Sequence, residues 1–300
     1  MKKKKLKLKK INFFIFLIII FFIVFFLTLL LLSITNNKSK KITKTVVEKK
    51  DNLDSKLKKL DYINKKINYF DNSKIDRYIN YKKKNKNISN KQVVIDVNIG
   101  LDFPYYENIN EAINKNTNII LVNKYYFLDE NYVPKNLEKL SLDHAQEGMM
   151  LVKDAKNAFE EMASDAEKEN LNIIVLSSYR SYSYQVNLYN KYKKKDGIKE
   201  ADLYSGRPGH SEHQTGLAID VYDGELDYTN FEKTLEFEWM MKNAHKYGFI
   251  LRFPKNKEKE TGYIYESWHY RYVGKHLANI LYKNNYTLEE YYATKKKISN

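Results

Sequence analysis

Apolar positions along this 300-residue chain fall into three regimes. From Ile11 to Ile34 they are nearly continuous, broken only by Asn12, Thr28 and Ser33. At about 1.5 Å rise per residue such a run can cross a hydrocarbon core of roughly 30 Å. The pattern predicts a transmembrane anchor over 11–34. Seven lysines precede it and Lys38, Lys40, Lys41 and Lys44 follow, so positive-inside bias places the basic tail, 1–10, in the cytoplasm and the rest outside. The alternative is a cleaved signal and a secreted protein, but the run exceeds an ordinary signal core and Ser33-Ile34-Thr35-Asn36 offers no small-x-small cleavage site.

The second regime, 35–94, is rich in Lys and Asn and poor in apolar residues. It is expected to be an extended or partly helical stalk.

Periodic patterns dominate the third regime. Leu151, Ala155, Ala158, Phe159, Met162 and Ala163 recur at helical spacing and predict a helix over 143–170. Ile173 to Leu176 follows as a buried strand. The loop Ser177 to Ser181 then opens a second helix, carrying Gln185, Leu188 and Tyr189 and stopping before Gly197. Gly216 to Val221 alternates as a strand with Asp220 opposite Leu217, Ile219 and Val221. Phe237 to Tyr247 is a helix closed by Gly248, Phe249 to Leu251 a strand, and Tyr263 to Val273 strand-like. Thr287-Leu288-Glu289-Glu290 forms a capping box that starts a last helix. Helices and strands in this order predict an α+β domain over 95–292, followed by a tail, 293–300.

The formal charge of +15 changes this picture less than its size suggests. Residues 1–90 hold 24 of the 52 Lys+Arg and 6 of the 37 Asp+Glu, a balance of +18; the remaining 210 residues carry 28 against 31, or −3. A nucleic-acid module would place its positive patch on the domain itself, so no nucleic-acid partner is expected. Anionic lipid or an anionic wall polymer suits the tail better. With 26 tyrosines and only 2 tryptophans, the aromatic content reads as composition bias and not as a stacking platform for bases.

There is no cysteine, so a metal would need His, Asp or Glu. His213 leads into the strand bearing Asp220, and His269 follows Glu266 by three residues beside Trp268. Two imidazoles and a carboxylate are the ligand set of a catalytic zinc, and a second carboxylate can serve as base beside it. Strand alternation opposes this: it puts Glu266 and His269 on opposite faces, so a bulge or strong twist in that strand is required. His210, three residues before His213, would close the site as a fourth ligand; a loop role is favoured. His144, His245 and His276 fall on predicted helices and read as surface or packing residues.

Four segments carry a close resemblance. They are Ser178-x-Arg180-Ser181 with Gln185; Pro208-Gly209-x-Ser211-Glu212-His213-Gln214-Thr215-Gly216-x-Ala218-x-Asp220; Asn243 to Phe249; and Glu266-x-Trp268-His269-x-Arg271-Tyr272-Val273-Gly274. In order, spacing and identity they resemble the VanY-type zinc D-alanyl-D-alanine carboxypeptidases over 122–292. The resemblance implies the small antiparallel sheet with flanking helices shared with Hedgehog signalling domains, and one zinc ion held by His213, Asp220 and His269. It implies Glu266 as base, Arg180 as stabiliser of developing negative charge and holder of substrate, and Gln185 and Ser211 lining the substrate site. Trp268 is expected to wall that site. Ser267 stands where the family usually has Pro, which loosens the turn that aims Glu266.

The implied activity is removal of the terminal D-alanine from peptidoglycan stem peptides ending in D-Ala-D-Ala. Alternatives within the same zinc group are D,D-dipeptidase, L,D-carboxypeptidase or endopeptidase activity. A silent wall-binding module would not need Glu266.

Overall fold

The computed structural model describes residues 25–36, 38, 40 and 67–295. The chain divides into two units, 1–66 and 67–300. In the first, residues 25–36 are helical. Among the described residues no helix is long and apolar enough to cross a membrane; positions 11–24 of the expected anchor and most of 35–66 lie outside them.

In the second unit, α1 (Ile75–Lys84) and α2 (Asn90–Ile99) come first. The folded part thus starts well before residue 95, where the stalk was expected to end. Ile75, Tyr78 and Tyr81 recur every three residues and bury one face of α1, with Val93, Val94 and Val97 buried on α2. Two of the three residues buried on α1 are tyrosines, whereas α2 buries aliphatic residues. Asn98 Nδ2 donates to the Ala293 carbonyl at 3.0 Å, tying α2 to the last helix.

The predicted helix over 143–170 is shorter: α3 runs Lys153–Glu167. Gly148 sits at φ +83°, a left-handed conformation that breaks the helix, and Met150–Val152 pairs instead with Leu137–Lys139. His144 therefore lies in a turn, not on a helix. Ala155, Phe159, Met162 and Ala163 are buried as their spacing predicted.

The central sheet holds β1 (Ile174–Ser177), β2 (Ala218–Tyr222), β3 (Phe249–Phe253) and β4 (Glu266–Tyr272) in the order β1-β2-β4-β3, antiparallel throughout. This is the small antiparallel sheet expected. α4 (Tyr182–Tyr204) kinks at Gly197, where the sequence predicted a stop, because that residue takes φ +84°. α5 (Leu235–Asn243), α6 (Lys275–Asn284) and α7 (Leu288–Thr294) follow, and Thr287 and Glu290 close the predicted capping box. Leu217, Ile219 and Val221 bury on the core side of β2 with Val175, Phe249 and Tyr270, which leaves Asp220 to the other face.

Two irregularities in this sheet decide the chemistry. On β1, Val175 pairs with Val221 but Ser177 with Asp220, so one extra residue, Leu176, bulges out. On β4 the distortion is larger. Leu251 pairs with Tyr270 and Phe253 with Glu266, so Arg252 alone faces Ser267, Trp268 and His269.

Candidate metal centre and active site

His213 lies on a 3-10 turn, Glu212–Thr215, ended by Gly216 at φ +67°. That turn feeds β2 directly, and in the β2–β4 ladder Asp220 and His269 are direct partners. Cross-strand neighbours have Cβ atoms about 5 Å apart, within reach of one ion. His213, Asp220 and His269 converge, with one donor atom from each lying within 4.8 Å of the others. His213 Nε2 is 3.3 Å from Asp220 Oδ2, and His269 Nδ1 is 3.2 Å from Asp220 Oδ1. Asp220 Oδ1 is buried without a hydrogen-bond partner, as a ligand oxygen awaiting a cation would be.

The β4 distortion supplies the base. It brings Glu266, which simple alternation would have turned away, round to place Oε2 3.5 Å from His269 Nδ1. Burial, reinforced by the Asp220 charge, pushes the Glu266 carboxyl up to about 8. Burial works against the charged form of Asp220 as well, but His213 and Arg180 outweigh it and hold that carboxyl well below the usual range. For His269, burial opposes protonation and is overcome by Asp220 and Glu212, which raise it to about 9. Burial and the Arg180 charge lower His213. A divalent cation at this point would take the place of the proton on His269.

Arg180 packs alongside. Its Nη2 donates to Asp220 Oδ2 at 2.6 Å and to Ser177 Oγ at 2.7 Å, which the β1 bulge has set opposite Asp220. The Arg180 backbone N–H donates to the His213 carbonyl, and His213 Nδ1 donates to the Ser178 carbonyl at 2.7 Å. That last bond fixes the tautomer that leaves Nε2 free as a ligand.

These groups open on a cavity of about 710 Å³. Gln185, Ser211 and Trp268, the other expected site residues, all line it. Gln185 is buried, with Nε2 bonded to the Gly206 carbonyl at 2.7 Å and Oε1 without a partner. Trp268 meets Tyr228 edge-on at 5.0 Å. His210 also lines the cavity, but its Nδ1 is bound to the Asn123 carbonyl at 2.8 Å, the loop role expected of it. His245 stacks on Tyr282 at 3.7 Å and is a packing residue.

Sequence reasoning missed two features. Tyrosines read as composition bias form much of the wall, among them Tyr179, Tyr184, Tyr192, Tyr204, Tyr228 and Tyr263. Glu212 was quoted without a role, yet it is buried against Arg252 and Arg271 beneath His269. An arginine inside the apolar strand Phe249–Phe253 was the available signal, since a buried guanidinium needs a carboxylate.

Gly209 sets the loop ahead of His213. It adopts φ +83°, and a Cβ there would lie 2.5 Å from the Leu128 carbonyl oxygen. Gly209→Ala should cost roughly 1–3 kcal/mol, read as a lower denaturation midpoint, and should weaken metal binding by shifting the loop. An unchanged midpoint would show that the loop gives way freely.

Three buried donors on one side of an open cavity, with an acid poised next to them, place the protein among the metal-dependent hydrolases. A model of the VanY D-alanyl-D-alanine carboxypeptidase family matches residues 148–275. YodJ of Bacillus subtilis (strain 168), named as a carboxypeptidase, is 36% identical over 222 residues, 72% of this chain and 81% of that protein. The LdcB LD-carboxypeptidase, whose structure reveals the molecular basis of peptidoglycan recognition, shares 38% identity. It superposes with a TM-score of 0.60 over 64% of this chain and 93% of its own. The vancomycin resistance D,D-pentapeptidase VanY from a VanB-type cassette, solved with Zn(II), is 30% identical. Its TM-score is 0.50 over 58% of this chain and 98% of its own. The chain belongs to the VanY family of D-alanyl-D-alanine carboxypeptidases, and is an enzyme whose cofactor is zinc.

Proposed function

We propose that this enzyme removes the C-terminal D-alanine from peptidoglycan stem peptides ending in D-Ala-D-Ala. The observation that carries the reading is the meeting of His213, Asp220 and His269 at one point of the cavity wall with Glu266 beside them. Zinc, when bound there, acidifies water and polarises the scissile carbonyl. Glu266 takes a proton from the attacking water and passes one to the departing amine. Its buried position favours the neutral acid, which makes it a ready donor in the second half of that cycle. Arg180, aimed from Ser177 across Asp220, balances negative charge growing on the carbonyl oxygen. Gln185 Oε1 offers an acceptor to a substrate N–H, and Ser211 and Trp268 bound the peptide. As part of the same reading, the catalytic domain stands outside the cytoplasm, anchored through 11–34, where stem peptides lie.

The likeness to LdcB supports a second reading, cleavage of an L,D bond. Release of D-alanine from a stem pentapeptide, a stem tetrapeptide ending in an L,D bond, a cross-linked muropeptide and free D-alanyl-D-alanine separates the possibilities. Fastest turnover of the pentapeptide is expected. Preference for the tetrapeptide would establish the second reading, and preference for the free dipeptide would overturn both.

A further inference from the structure

Beneath the metal centre lies a buried cluster of two carboxylates and two guanidiniums. Arg252 Nε and Arg271 Nη1 both donate to Glu212 Oε1, at 2.9 and 2.7 Å. Arg252 also donates through Nη1 and Nη2 to Glu289, at 2.8 and 2.5 Å. All four side chains are buried. Because both arginines engage the same oxygen of Glu212, Oε2 is left without a partner. It faces His269 Nε2, also buried and partnerless, at 3.7 Å.

The two facing atoms complement each other. With Nδ1 turned to Asp220, a neutral His269 that offers a lone pair there must carry its hydrogen on Nε2. A buried N–H needs an acceptor, and Glu212 Oε2 is the one at hand. His213 meets the same need through the Ser178 carbonyl. We infer that Glu212, held in place by Arg252 and Arg271, is a positioning residue that fixes the His269 tautomer and orients its ring toward the metal.

Glu212 acts in this way only if the zinc reading of the site holds, so zinc uptake by the unaltered full-length chain is measured first. Failure there removes the metal site itself and Glu212's role with it. With uptake established, Glu212→Gln should weaken zinc about 10- to 100-fold in chelator competition, the usual worth of an outer-shell partner. It should also shift the visible bands of the Co(II)-substituted protein. Glu289→Gln removes the other carboxylate on Arg252 without touching His269; it should lower Tm but leave zinc affinity and the Co(II) spectrum unchanged. If Glu212→Gln does not fold, Glu212→Asp decides, since it keeps the charge and withdraws the oxygen. A folded Glu212 variant with zinc affinity within twofold of the unaltered chain and an unmoved Co(II) spectrum overturns the role. Equal weakening in Glu289→Gln overturns it as well, by showing that general loosening is the cause.

Discussion

Glu266→Gln is expected to reduce D-alanine release by about 10³-fold or more, within the range that a positioned proton carrier contributes, while zinc content stays the same. Gln is nearly isosteric with Glu, so the cavity wall and the β4 distortion are preserved and only the proton-carrying ability is lost. Stability should move the other way. In the folded state, burial and the nearby Asp220 charge raise the Glu266 carboxyl, so ionising it above its unfolded value costs stability, and that cost grows up to about pH 8. At neutral pH the amide escapes that cost, and Tm should be equal or higher than in the unaltered enzyme, a trade of stability for activity seen at many catalytic sites. Coupled D-alanine detection, metal analysis and calorimetry check the three parts. Turnover within tenfold of the unaltered enzyme would remove Glu266 from its assigned role.

His213→Ala should have the largest effect on the metal. It deletes one of three donors, and the loss of affinity should exceed the 10- to 100-fold typical of an outer-shell change. Dialysis at micromolar zinc should return a metal-free protein without measurable carboxypeptidase activity. The same substitution strips the Ser178 carbonyl of its donor and opens space under the Glu212–Thr215 turn. An unmet buried acceptor adds about 1–3 kcal/mol of destabilisation, which metal-free unfolding would report separately from the loss of zinc. Zinc retained at one ion per chain would mean that the ion sits elsewhere.

Much of this arrangement was legible before any coordinates. The alternation from Gly216 to Val221 set which side of β2 carries Asp220, because a strand has only two faces and the aliphatics claimed one. The capping box at Thr287 and the left-handed Gly248 marked real helix ends, since both are local matters of backbone satisfaction. Local signals misled where a neighbouring pairing overrode them. The stretch before Lys153 has helical spacing but breaks at Gly148 and joins a two-stranded ladder instead. The stretch over 75–84 was read as stalk because it holds few apolar residues, and two of the three residues its helix buries are tyrosines.

By itself the amino-acid order determined which chemistry was available: two imidazoles and two acids in motif company, no thiols, and a fold of helices around a small sheet. Only the tertiary structure decided that they meet. Asp220 and His269 are 49 residues apart and become partners through the β2–β4 register, and Glu266 joins them because Arg252 alone spans three residues of β4. Register and bulges are set by hydrogen bonds between distant strands and by the packing of buried charges such as Arg252 and Glu212. None of these is encoded in the periodicity of a single segment.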